Sequence, residues 1–305
     1  MKLEGVFTVL QTPLNAADEI DQPILEKEID WLIDLGVDGV VLAMVSEVMR
    51  FSAQERREQW KITLKILNGR LPLVASVGAE STYIATSLAR AAQADGVHAL
   101  MATPPSTFPA LSEETLAYYT AIIESVSIPV IVQDASNYMG QPLEISLYSA
   151  LLEKYGYDRV QFKPEAKPVK ERMEQLQNVA QGKARVFEGQ SGMDLLETFP
   201  LKLVGTMPGS EIAWAIIALW EALNENNWER ARAIHEGVAR LVAFQPTIDA
   251  YVAVEKYLLV KQGIFTSAQQ RGPVRVILDS QTKAKIDLAF DQLRTIVDSG
   301  ARPNN

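Results

Sequence analysis

The chain has no cysteine and only two histidines among its 305 residues. The first absence excludes disulfides, thiolate zinc sites, iron–sulfur clusters and a cysteine nucleophile, and leaves the compartment open. Long apolar runs are also missing: none can span a bilayer, and the opening stretch Met1 to Val6 lacks the apolar core of a signal peptide. A cytoplasmic location with no membrane partner is therefore the default expectation. Nor is there any excess of positive charge. The 29 Lys and Arg residues face 38 Asp and Glu, a net charge of −9 with no long basic run, which argues against nucleic-acid binding. What is present, 48% hydrophobic and 22% charged residues, is the composition of a folded chain with a large core.

Short runs rich in Val, Ile and Leu alternate with longer segments of helical period, the pattern of parallel strands joined by crossover helices. Eight such strands are expected: Gly5 to Gln11, Gly39 to Val45, Leu71 to Gly78, Ala99 to Thr103, Pro129 to Asp134, Arg159 to Lys163, Arg185 to Glu188 and Leu203 to Met207. Eight strand–helix units predict a (β/α)8 TIM barrel over residues 1–224 that carries the active site. Gly36 and Gly96 stand where helices should stop; Ser52 to Glu55 and Ser112 to Glu114 read as helix starts. From 225 to 305 the strands cease. Helical stretches at Asn227 to Val242, Ile248 to Gln262 and Gln281 to Ser299 form an appendage expected to pack on the barrel or on a neighbouring subunit, and the tail Gly300 to Asn305 reads as disordered.

Barrel enzymes place their chemistry at the C-terminal strand ends. Those ends hold Gln11, Thr12, Ser46, Glu47, Ser76, Thr103, Gln133, Asp134, Lys163, Glu165, Glu188, Thr206 and Gly209. Lys163 is the most informative, because a lysine inside a strand otherwise apolar must be neutralised, paired or used. Burial disfavours an ammonium, and a neutral amine can attack a carbonyl to form a Schiff base. Strand alternation puts Gln161, Lys163 and Glu165 on one face, with Val160 and Phe162 toward the helices. The bland alternative is a buried salt bridge between Lys163 and Glu165. His98 at the start of a strand and His235 in the appendage read as structural, so neither a metal nor a cofactor is expected. The loops Gly189 to Gly192 and Thr206 to Gly209, with Met207, read as walls of a substrate cavity.

Over essentially its whole length the sequence resembles the dihydrodipicolinate synthase and N-acetylneuraminate lyase superfamily. The likeness rests on Gly5-Val6-Phe7-Thr8 with Thr12-Pro13, Gly36 to Gly39, Glu47, Thr103-Pro104, Ile128 to Ile131, Phe162-Lys163, Val254 to Tyr257 and Arg271-Gly272-Pro273. The resemblance implies that Lys163 condenses with a 2-oxo acid and that the enzyme is a homotetramer. The departures are informative. The family's Gly-Thr-Thr-Gly-Glu loop is Ala43 to Glu47 here, keeping only Ser46 as a hydroxyl, and its proton-relaying tyrosine is replaced by Gln133-Asp134. The arginine of true dihydrodipicolinate synthases falls near Tyr138. Ala43 to Glu47, Pro104-Pro105, Val132 to Ala135, Phe162 to Glu165 and Glu188-Gly189 are instead similar to the L-2-keto-3-deoxyarabonate dehydratase branch.

The reading that follows is a lyase that dehydrates a 2-keto-3-deoxy sugar acid through an iminium on Lys163. Glu165 transfers protons, Gln133 orients the imine or a substrate hydroxyl, and Ser46 with nearby amides holds the carboxylate. Thr12, Glu47, Thr103, Asp134, Glu188 and Met207 complete the expected substrate-contacting set, although a loop-fixing role suits Glu47 better. A pyruvate-releasing aldolase, a dihydrodipicolinate synthase-like condensation and a catalytically silent 2-oxo-acid-binding protein remain alternatives.

Overall fold

A computed structural model describes residues 2–107 and 110–299; the tail expected to be disordered, Gly300 to Asn305, lies outside them. The eight strands form as expected, all but β6 shorter and β6 shifted by one residue: β1 (Gly5–Val9), β2 (Gly39–Leu42), β3 (Leu73–Ser76), β4 (Ala99–Ala102), β5 (Val130–Asp134), β6 (Val160–Pro164), β7 (Phe187–Glu188) and β8 (Gly205–Thr206). Helices α1 (Gln22–Leu35), α2 (Ala53–Leu67), α3 (Thr82–Asp95), α4 (Ser112–Glu124), α5 (Ile145–Tyr155), α6 (Val169–Val179), α7 (Leu195–Thr198) and α8 (Ala213–Asn224) alternate with them. All strand pairs are parallel, in the order β6-β5-β4-β3-β2-β1-β8-β7. The seam between β6 and β7 is held by an isolated bridge from Phe162 to Val186, with the Phe162 N–H donating to Arg185 O at 2.9 Å. This is a nearly closed (β/α)8 barrel.

Helix ends follow local chemistry. Ser52 Oγ accepts from Glu55 N–H at 3.2 Å while Glu55 Oε2 accepts from Ser52 N–H at 2.8 Å, the reciprocal cap expected there. Gly36 and Gly96 stop α1 and α3 in the left-handed conformation. Ser112 does not cap α4. It lies inside the helix and its hydroxyl donates to Glu144 at 2.8 Å.

Alternation along the strands separates two cores. Outward residues, among them Val40, Leu100, Val132, Val160 and Phe162, pack against the helices. Inward residues, including Leu3, Phe7, Val41, Val74, Met101, Ile131 and Phe187, fill the barrel, leaving Gln133, Lys163 and Glu165 at its C-terminal end. The three late helices, α9 (Trp228–Val242), α10 (Ile248–Lys261) and α11 (Ser280–Ser299), begin and end within a residue or so of expectation. Helices α9 and α11 build a further core on α8 with Leu219, Ile234, Val238 and Leu293. Helix α10 packs instead on the 3₁₀ turns Met44–Ser46 and Ser210–Ile212, next to the strand ends, and buries nearly every face. The appendage therefore completes the top of the barrel as well as covering its side. Among the described residues no helix is long and apolar enough to cross a membrane.

Candidate active site

Lys163 projects into the barrel from β6, directly across from Gln133 on β5, because the two strands pair in that register. Its neighbour Phe162 points outward and meets Tyr148 edge-on with ring centroids 5.0 Å apart. Lys163 Nζ donates to Glu165 Oε1 at 3.1 Å, and Gln133 Nε2 donates to Glu165 Oε2 at 2.7 Å. One carboxylate thus holds both the amine and the amide. Burial pushes the Glu165 carboxyl upward, opposed by the Lys163 charge and the Gln133 hydrogen bond. Residue 189 must be glycine beside this group: a Cβ there would come 2.6 Å from Lys163 Cε and 2.9 Å from Glu165 Cγ.

These residues border a cavity of about 370 Å³, mouth included, whose wall also contains Met44, Val45, Tyr138, Ser191, Met207 and Gly209. Helix α10 adds Ile248, Tyr251 and Glu255. Tyr138 and Tyr251 stand edge-on with hydroxyls 3.3 Å apart, and burial raises both phenol pKa values. The expectation confined the active site to residues 1–224 and did not include Tyr251 or Glu255. They stand one helical turn apart on α10, but Asp249, Lys256, Tyr257 and Lys261 share the segment, so its sequence does not single them out. Tyr138 had been noted only as the substitute for a family arginine.

Several expected substrate contacts are spent on the scaffold. Thr12 Oγ1 donates to Ser46 O at 2.7 Å and accepts from Gln59 Nε2 at 2.6 Å. Ser46 Oγ donates to Leu10 O at 2.5 Å and accepts from Ala43 N–H at 3.0 Å, which ties the loop after β2 to β1. Glu47 forms a sealed ion pair with Lys256 and accepts from Arg271 N–H at 2.6 Å, the loop-fixing role. Asp134 accepts from Leu143 N–H at 2.9 Å and Tyr148 Oη at 3.2 Å, on the outer side of β5. Thr103 is buried, with its carbonyl taken by Tyr118 at 3.2 Å, and does not border the cavity. Glu188 faces away because Phe187 takes the inward position on β7; it accepts from Gln190 N–H at 2.7 Å, Gly192 N–H at 3.0 Å and Thr206 Oγ1 at 2.5 Å. Of the ten expected site residues, Lys163, Glu165, Gln133 and Met207 border the cavity. His98 Nδ1 accepts from Leu73 N–H at 3.1 Å and His235 Nε2 lies 2.8 Å from Met193 O, and neither borders the cavity.

The profile of the Dihydrodipicolinate synthetase family matches residues 2–291. An L-2-keto-3-deoxyarabonate dehydratase of Azospirillum brasilense is 24% identical over 277 residues, covering 88% of each chain. An N-acetylneuraminate lyase of Rhizobium meliloti (strain 1021) is 33% identical over a shorter stretch of 133 residues, 43% of this chain and 44% of that one. Among solved structures, YagE of E. coli K12, a dihydrodipicolinic acid synthase family protein in complex with pyruvate, superposes with a TM-score of 0.89 at 20% identity, covering 96% of this chain and 99% of that one. With the profile spanning nearly all of it, the chain belongs to the dihydrodipicolinate synthetase family.

Proposed function

We propose that the chain is a Schiff-base-forming lyase and that its reaction is dehydration of a 2-keto-3-deoxy sugar acid of the L-2-keto-3-deoxyarabonate kind. The observation that carries this reading is Lys163 at the cavity wall, held by a carboxylate that Gln133 orients. The choice of dehydration is supported by the relative of that name. The Lys163 amine adds to the C2 carbonyl and water leaves, giving an iminium that acidifies C3. A C3 proton passes to Glu165, and the electron pair left behind forms an enamine. That pair expels the C4 hydroxyl, which departs with a proton as water, and hydrolysis of the unsaturated iminium frees the amine. Burial makes Glu165 a stronger base than an exposed carboxylate, which suits the C3 step. With the Ser46 hydroxyl committed, the main chain of Met44 and Val45 at the cavity wall takes over the substrate carboxylate.

The similarity to an N-acetylneuraminate lyase favours a second reading, in which the same iminium undergoes C3–C4 cleavage to release pyruvate. The deciding experiment is borohydride reduction of the protein with pyruvate and, separately, with a 2-keto-3-deoxypentonate, followed by peptide mapping and product analysis. An adduct on Lys163 with loss of water from the pentonate is expected. Pyruvate as the product selects the aldolase, and absence of any adduct on folded protein selects the silent binder.

A further inference from the structure

Elimination of the C4 hydroxyl needs an acid, and both oxygens of Glu165, which has taken the C3 proton, are engaged by Lys163 and Gln133 on one side of the cavity, whereas Glu255 borders it from α10. We propose that Glu255 is the acid that protonates the departing oxygen and that it draws on a single proton held jointly with Glu211. This rests on the dehydration reading above.

Three carboxyl groups are buried together beside the cavity: Glu28 on α1, Glu211 in the turn Ser210–Ile212 before α8, and Glu255 on α10. Each has one oxygen held by uncharged donors. Glu28 Oε1 accepts from Gln11 N–H at 3.0 Å and Ser210 Oγ at 2.6 Å, Glu211 Oε1 from Gln245 Nε2 at 3.3 Å, and Glu255 Oε2 from Gln11 Nε2. The other oxygen of each carboxyl has no protein partner, and neither do Gln11 Oε1 and Gln245 Oε1. Five buried acceptors with no donor are costly unless some of the carboxyls carry protons. No salt bridge reaches any of the three among the described residues. The nearby Lys256 is engaged by Glu47, and among the described residues no three acidic, His or Cys side chains are arranged to hold a metal ion. Protons are the remaining way to cancel the charge.

Geometry singles out one pair. The free oxygens Glu211 Oε2 and Glu255 Oε1 converge on the same point, the place where a Cβ of residue 209 would be. That atom would overlap the first and lie 2.6 Å from the second, so glycine at 209 is what allows the two carboxyls to face each other. Two carboxylates in one site do not both ionise, because like charge in a buried setting holds one proton between them. Burial and the charge of Glu211 drive the Glu255 carboxyl well upward, and burial raises Glu211 to about 7. Of the three carboxyls only Glu255 borders the cavity. The other ionisable groups facing it are Glu28 from α1, Lys163 and Glu165 from β6 across the cavity, and Tyr251 one turn earlier on α10, which meets Tyr138. In the reaction Glu255 gives its proton to the C4 oxygen as the C4–O bond breaks, and water leaves. The proton that Glu165 took from C3 returns to the Glu255–Glu211 pair through solvent, so each turnover loses one water and restores both groups.

The test uses full-length protein and the variants Glu255→Gln and Glu211→Gln. Three readouts are compared: borohydride trapping of pyruvate on Lys163, the pH profile of kcat for pentonate dehydration, and the infrared difference spectrum between wild type and variant at neutral pH. Glu255→Gln should still trap pyruvate while kcat falls by about 10²–10⁴-fold, the range for loss of a general acid. Glu211→Gln removes the neighbouring negative charge, so the alkaline limb of the profile should move to lower pH by about one unit or more, which a purely structural role would not do. The difference spectrum with Glu255→Gln should contain the carbonyl band of a neutral carboxylic acid. Wild-type dehydration with Glu255→Gln within about threefold of it, an unshifted limb in Glu211→Gln, or a difference spectrum containing only carboxylate overturns the acid role alone. A wild type that traps pyruvate yet dehydrates nothing overturns the dehydration reading and the acid role with it. If Glu255→Gln does not fold, the Glu211→Gln profile and its infrared difference decide.

Discussion

Among the described residues two lysine–glutamate pairs are buried, and they differ in what else their atoms touch. Lys256 on α10 and Glu47 in the loop after β2 are fully sealed, with both side chains at 0% exposure. Lys256 donates a second bond to Gln269 O at 2.7 Å, and the other oxygen of Glu47 is taken by Arg271 N–H. Lys163 and Glu165 are nearly as buried, at 5% and 2%. Yet Lys163 makes a single hydrogen bond with three protons to offer, and its amine opens onto the cavity. Burial and pairing therefore do not tell the two lysines apart. Unspent hydrogen-bonding capacity beside space for a ligand does, and the sealed pair serves to anchor the loop whose Met44 and Val45 form part of the cavity wall.

The comparison breaks most sharply at the lysines themselves. Lys163→Ala should abolish adduct formation and lower turnover by about three orders of magnitude or more, because among the described residues no other amine borders the cavity. Its midpoint in chemical denaturation should stay close to that of wild type, since burial pushes the Glu165 carboxyl upward and, with the opposing Lys163 charge gone, lets it take up a proton. Lys256→Met should behave the other way round. Removing one partner of a sealed pair strands Glu47, at a cost of about 3–5 kcal/mol of folding free energy, read from denaturant titration. The fraction that remains folded should still trap pyruvate on Lys163. Equal losses of stability in the two variants would remove the distinction drawn here.

The same contrast explains how far the sequence could be read. Eight strand–helix units and three late helices were legible because each carries its own period and end signals; α10 was expected at Ile248 to Gln262 and runs Ile248–Lys261. Strand ends were less so. β7, at the loosely bridged seam, and its neighbour β8 shrink to two residues each, which no local pattern foretells. Within the site, Lys163, Glu165 and Gln133 were legible because period-two alternation puts Lys163 and Glu165 on one face and strand register places Gln133 opposite. Glu188 was misplaced because Phe187 competes for the inward position, and Ser46 because a hydroxyl near a cavity is as useful for tying down a loop as for binding a carboxylate. Tyr251 and Glu255 were missed because membership of the site depends on where a distant helix docks, and nothing in α10 itself records that.

Glu28 gives the most gradual of these effects, spread over several pH units, and the control that both pairs lack, a buried carboxyl with no lysine bonded to it. Burial raises it from 4.5 to about 8, against the opposing hydrogen bonds of Ser210 and the Gln11 main chain. A folded-state pKa above the unfolded value means that the native protein holds a proton the unfolded chain has released. The contribution is fully present below pH ~4.5 and is lost as pH rises toward 8, at about 1.4 kcal/mol per pH unit. Glu28→Gln keeps an acceptor for Ser210 and cannot ionise, so it should remove that slope. The stability of the variant relative to wild type should climb with pH between about 5 and 8 and level off above, as read from denaturation midpoints across that range. A flat difference between the two proteins would mean that Glu28 stays charged in the fold, and a cation would then have to be sought beside it. The buried carboxyl cluster would in that case resemble the Lys256–Glu47 pair, with its charge balanced by a partner, and would no longer be a place where protons are stored.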